Sequence, residues 1–146
     1  MPHAAQLALM LDEEMLRLHG VAVSDPWVPD HALPISADLA SQLCDRYLIK
    51  YVRKRDRERY SPPLSGIATY TGVHFVTTTA ICRDELSPML NLPPFSLPRY
   101  ALILNPAQLT VHGPRRIRGG RGIEYVLLNG FPSDAVIEPG WPMELR

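Results

Sequence analysis

The 146-residue chain has almost no cysteine, no excess of charge of either sign and no long apolar run. Its two cysteines, Cys44 and Cys82, have neither CxxC spacing nor paired histidines around them, which argues against a metal site. Both are expected to be reduced and packed inside. No stretch approaches the roughly 20 apolar residues of a membrane span. The amino terminus also lacks a basic region followed by an apolar core and a cleavage site, so the expected location is the cytoplasm where the chain is made. There is no internal repeat, no low-complexity tract and no phosphate-cradling GxxxxGK[ST] motif.

What is present describes one ordinary globular domain spanning 1–146. Hydrophobic residues make up 46% and charged residues 21%, while 15 prolines are about twice the usual share and predict many loops and short strands. The zero net charge conceals an asymmetry. Residues 1–44 carry six acids against Arg17, residues 45–60 carry seven bases against three acids, and the remainder is nearly balanced. Such a basic segment either neutralises the acidic part internally or forms an anion-binding face.

The pattern predicts a helical part over 1–59 and a mostly β part over 60–146. A first helix is expected over 4–18, where Leu7, Leu11, Met15 and Leu18 recur at helical spacing and Gly20 follows. Pro26, Pro29 and Pro34 mark a connector over 20–35. Ser36 can cap a second helix, whose stripe Leu39/Ala40, Leu43/Cys44, Tyr47/Leu48 and Tyr51/Val52 repeats every four residues. On that reading the cations from Lys50 to Arg59 lie at a helix carboxy terminus, which the helix dipole favours without any function. They could equally bind phosphate, or with Tyr47, Tyr51 and Tyr60 form a footprint for nucleic acid. Beyond Pro62-Pro63 strands are expected near 67–70, 73–79, 99–104, 108–112, 123–128 and 135–138, with a loop or short helix through 83–98. Helices followed by many short strands indicate an α+β fold.

The most informative stretch is Gly119-Gly120-Arg121-Gly122-Ile123-Glu124-Tyr125-Val126-Leu127-Leu128. A glycine-rich basic loop enters an apolar strand that carries one carboxylate, Glu124, which would be costly to bury unpaired and so should face a cleft or a partner. The plainer alternative is a hairpin turn with Glu124 on the solvent side of an alternating strand. Arg115, Arg116, Arg118 and Arg121 could bind phosphates, clasp an acidic target or simply be solvated, with Asp134 and Glu138 near enough in sequence to neutralise part of them. His74 and His112 are candidate general bases or satisfied structural histidines.

Phe75-Val76-Thr77-Thr78-Thr79 resembles the aromatic-x-Ser-Thr-Ser strand of the ADP-ribosyltransferase superfamily. Tyr100-Ala101-Leu102-Ile103-Leu104 and the Glu124 segment resemble that superfamily's last strands. The run Gly119 to Tyr125 is also similar to the Gly-Gly-x-Gly-x-Gln-Tyr signature of tuberculosis-necrotizing-toxin-like NAD glycohydrolases, with Glu124 in place of Gln. The resemblance covers residues 59–146. It implies two amino-terminal helices followed by a split antiparallel β-sheet core of ADP-ribosyltransferase type. The implied activity is cleavage of NAD as a substrate, without a metal, by hydrolysis or by transfer of ADP-ribose.

By resemblance Glu124 is the catalytic carboxylate and Arg59, with Arg53 in reserve, holds the pyrophosphate. Thr77 and Thr79 supply hydroxyls, and Tyr70, Phe75 or Tyr125 stacks on nicotinamide. Gly122 stands where transferases acting on protein side chains have Gln or Glu, which favours hydrolysis or another acceptor. The implied partners are NAD and a macromolecular acceptor or target, with room for an inhibitor protein and none for a membrane. Likeness to bacterial toxins and effectors also implies delivery into another cell by a route that needs no Sec signal. The competing reading is a non-enzymatic protein that binds nucleic acid or an acidic partner through the basic 46–59 face, or a degenerate transferase fold kept as a scaffold.

Overall fold

The computed structural model describes residues 35, 37–43, 46–61, 66–78, 81–117, 119–137 and 139–145. The helix expected over 4–18, most of the connector, the Ser36 cap, Cys44, Thr79, Arg118 and Glu138 lie outside the described residues. What the chain shows is a mixture of helix and strand with antiparallel sheets.

One expected helix is replaced by two different elements. Ala37–Leu43 is helical (α1), but Leu48–Val52 is a strand (β1). The stripe that suggested a continuous helix has a second reading, because Leu48 and Val52 are four residues apart and therefore also share one face of a strand. Both are buried there, and Ile49, Tyr51 and Val52 are β-branched or aromatic. Pairing decides the matter. Leu48 to Val52 match Leu104 to Tyr100 in the antiparallel strand Tyr100–Leu104, and Tyr100 and Ala101 pair in turn with Glu144 and Met143 of a short edge strand.

In chain order the later elements are β2 (Thr69–Tyr70), β3 (His74–Val76), a five-residue helix α2 (Leu86–Leu90), β4 (Tyr100–Leu104), β5 (His112–Arg116), β6 (Ile123–Leu127), β7 (Phe131–Pro132) and β8 (Met143–Glu144). They make a β1-β4-β8 sheet, a β3-β6-β5 sheet and a small β2-β7 pair. The two larger sheets meet at one bridge, where the Ile49 and Thr77 amides each donate to the other's carbonyl at 2.7 and 3.0 Å.

Two strands depart from expectation. The one placed at 108–112 lies at His112–Arg116 instead. Pro106 opens a 3₁₀ turn, with the Asn105 side chain accepting from the Ala107 amide, so the chain turns there and pairs later. Pro114 falls where the β5-β6 register shifts, on an edge that needs no amide. The strand expected over 135–138 is a 3₁₀ turn at Ser133–Ala135 and a single bridge from Val136 to Leu104.

The main core gathers Leu43, Leu48, Val52, Tyr60, Tyr70 and Val76 with Leu102, Leu104, Ile123, Tyr125, Leu127 and Phe131. A second cluster, Ile81, Leu86 and Met89, packs Tyr51 and Leu90 on the opposite face of β1. Alternation in β1, β3 and β6 thus sends one face to the main core and leaves the other for the site.

A candidate active-site cleft

The free faces of β1, β3 and β6, with the end of α2 and the proline-rich loop after it, enclose a cleft of about 460 Å³. Ligand pockets commonly run from roughly 300 to 1,000 Å³. Its polar lining residues are Tyr51, Arg53, Thr77, Ser96 and Glu124, with Lys50 contributing from β1, and its apolar walls include Ile49, Phe75, Leu90, Leu92, Pro93, Pro98 and Ile117.

Glu124 occupies the second position of β6, between Ile123 and Tyr125, which are both fully buried in the main core. Strand alternation therefore directs Glu124 the other way, toward the cleft. Its β5 partner is Arg115, itself only 8% exposed. Burial raises the Glu124 carboxyl from 4.5 to about 7, and the Arg115 charge pulls it part of the way back. The group thus exchanges a proton near neutral pH, as an acid-base catalyst needs to.

The Gly120, Arg121 and Gly122 amides of the glycine-rich loop are taken up within the chain and are not offered to a ligand. The Arg121 amide donates to the Pro88 and Met89 carbonyls at 3.1 Å, and the Gly122 amide to Met89 at 2.8 Å. These are last-turn carbonyls of α2, which a helix end leaves without internal partners. A side chain at Gly120 would meet the Met89 carbonyl oxygen at 2.5 Å, so glycine is required for this close approach. The loop is the β5-β6 turn, and it fixes Glu124 by clamping the start of β6 to α2. Tyr51 ties β1 to the same unit by accepting the Ile81 amide at 2.7 Å, and burial pushes its phenol up to about 12.

Arg53 follows β1 directly. Its Nη1 donates to Ser96 Oγ at 3.0 Å, and its Nε lies 3.6 Å from Asp56 Oδ2. Lys50, on the core face of β1, reaches over the Tyr60 ring at 5.6 Å from its centroid. Burial lowers its ammonium to about 8, against the pull of Asp56 and with the help of Arg59 and Arg53.

The structure thus brings Glu124, Thr77, Phe75 and Arg53 to one cleft. Thr77 is 3% exposed at the sheet junction, and Phe75 is half-exposed. The structure does not bring Arg59, Tyr70 or Tyr125 there. Arg59 is exposed beside the Tyr60 ring at 5.9 Å, while Tyr70 and Tyr125 belong to the main core. His74 and His112 are buried outside the cleft, and His74 Nε2 lies 2.9 Å from the Thr71 carbonyl oxygen. Ser96 is a cleft residue that the sequence reading missed. Nothing local to Ser96 marks it in the sequence.

Among the described residues no group of His, Cys, Asp and Glu is placed to hold a metal ion, and no helix is long and apolar enough to cross a membrane. No protein-family model matches the chain, and comparison with curated proteins and with solved structures returns no match.

Proposed function

We propose that the cleft binds NAD and cleaves its nicotinamide–ribose bond, passing ADP-ribose to water or to a macromolecular acceptor. On this reading the two sheets that part at Ile49 and Thr77 are the split sheet of an ADP-ribosyltransferase scaffold. The observation that carries it is the convergence of Glu124, Thr77, Phe75 and Arg53, residues from three separate segments, on one cleft.

The chemistry suits these groups. Nicotinamide leaves as a neutral ring with the electron pair of the glycosidic bond, and positive charge develops on the ribose as in other oxocarbenium-like reactions. An ionised Glu124 stabilises that charge from a fixed position. When water attacks the anomeric carbon its proton must leave, and a carboxylate titrating near 7 can accept it. Phe75 offers a ring face to nicotinamide and Thr77 a hydroxyl to the ribose. Arg53 takes the pyrophosphate role in place of Arg59, because a guanidinium presents parallel donors to phosphate oxygens.

The test is nicotinamide release from NAD by wild type, Glu124→Gln and Arg53→Ala, each checked for folding, with and without a cell lysate as acceptor. Glu124→Gln is expected to lower kcat by about 10²- to 10³-fold. Arg53→Ala is expected to act mainly on KM. Since the ionised carboxylate is the working form, wild-type kcat should rise with pH through about 7 and then level. Undiminished turnover in Glu124→Gln, or no release by wild type in either condition, would overturn the reading.

A further inference from the structure

Outside the cleft, the most distinctive surface is its basic rim. From Arg53 to Arg59 the chain holds five cations and two carboxylates, although the whole chain is neutral. The helix that could have excused this run is absent, because the segment follows a strand and contains one short 3₁₀ turn at Lys54–Asp56. No helix dipole gathers these charges. Lys54, Arg55, Arg57 and Arg59 are all exposed. The Arg99 amide donates to the Val52 carbonyl at 3.1 Å, which sets another exposed arginine beside the start of the run.

The rim is continuous with an uncovered aromatic ring. The hydrogen bond from Arg53 to Ser96 joins the basic run to the loop that holds Phe95, and Phe95 is 92% exposed. Pro93, Pro94 and Pro98 restrict the backbone of that loop, so presenting Phe95 there costs little further backbone entropy. Cations that follow a backbone of phosphates, next to a ring on which a base can stack, are the two components of a single-strand platform. A duplex keeps its base faces inside the stack and would leave Phe95 uncovered. An acidic peptide would use the cations alone.

We propose that this rim, comprising Lys54, Arg55, Arg99 and Phe95, docks a single-stranded nucleic acid. The site stands on its own, whether or not the cleft cleaves NAD.

Fluorescence anisotropy with a labelled oligonucleotide of roughly 12 nucleotides, a length suited to one such platform, tests it without NAD. The single strand should bind more tightly than the same sequence as a duplex, and polyglutamate should compete poorly. Phe95→Ala should weaken binding about tenfold and Phe95→Trp should restore it. Lys54→Ala with Arg55→Ala should flatten the plot of log affinity against log salt by about 1.4, as expected for two phosphate contacts with a single strand. These side chains are exposed, so the variants should fold as wild type does. Equal affinity for duplex, equally potent competition by polyglutamate, an indifferent Phe95→Ala, or no binding at about 50 mM salt would each overturn the assignment.

Discussion

At Glu124 the fold holds a carboxyl where its charged form is disfavoured, and that has a measurable thermodynamic sign. A proton kept until about pH 7 in the folded chain, but released near 4.5 in the unfolded one, stabilises the fold fully below pH 4.5. That contribution is lost as pH rises to 7, and the change amounts to about 3 kcal/mol. Glu124→Gln removes the titration. Urea melts should therefore show the variant matching wild type near pH 4 and exceeding it by about 1 to 3 kcal/mol at pH 8. Equal stability at pH 8 would mean that the carboxylate is not disfavoured in the folded chain. The same alternation that aims Glu124 at the cleft explains why some expected site residues fell elsewhere. Thr77 and Phe75 share one face of their strand and reach the cleft, whereas Tyr125, next to Glu124, must face the core. Motif matching alone selected neighbours on both faces, and a strict period of two would have separated them.

The elements that hold this geometry were legible to different degrees. The Gly119 to Leu128 run was rightly read as a turn entering a strand, because glycines and apolar alternation are local signals. That the turn is clamped to α2 was not legible, since its partners, Pro88 and Met89, lie some thirty residues earlier and give no pattern of their own. β1 was taken for the end of a helix because a spacing of four suits both structures, and its partner β4 is about fifty residues away. The clamp makes a prediction. Gly120→Ala would place a methyl 2.5 Å from the Met89 carbonyl oxygen, backbone that cannot swing aside, so it should destabilise the chain by about 1 to 3 kcal/mol. It should also displace Glu124, so activity in the cleft should fall more than stability alone explains. Gly140→Ala is a control, since no atom lies within 4 Å of the added methyl there, although its φ of +88° costs some strain. A thermal melt of both variants beside wild type decides the matter, and a Gly120→Ala melting temperature equal to that of wild type would refute the clamp.

Across the whole molecule, the cleft exists because two three-stranded sheets part while remaining joined at one point. The order of helix and then strands, and with it the α+β class, could be inferred from proline spacing and alternation. The junction could not, because it depends on two hydrogen bonds between Ile49 and Thr77 and on no local composition. Those bonds sit under the cleft, between a core cluster that spans both sheets and a smaller one behind β1. If the shared core makes the sheets one cooperative unit, the Ile49 and Thr77 amides can exchange with solvent only when the entire fold opens. Native-state hydrogen exchange should then give both amides the same opening free energy as Leu102 and Val126, central in their own ladders and buried. Earlier exchange at Ile49 and Thr77 alone would instead show that the sheets separate as bodies while each stays folded. The cleft would then open and close along that seam, and a ligand bound across it should slow these two amides selectively, by an amount that grows with its concentration.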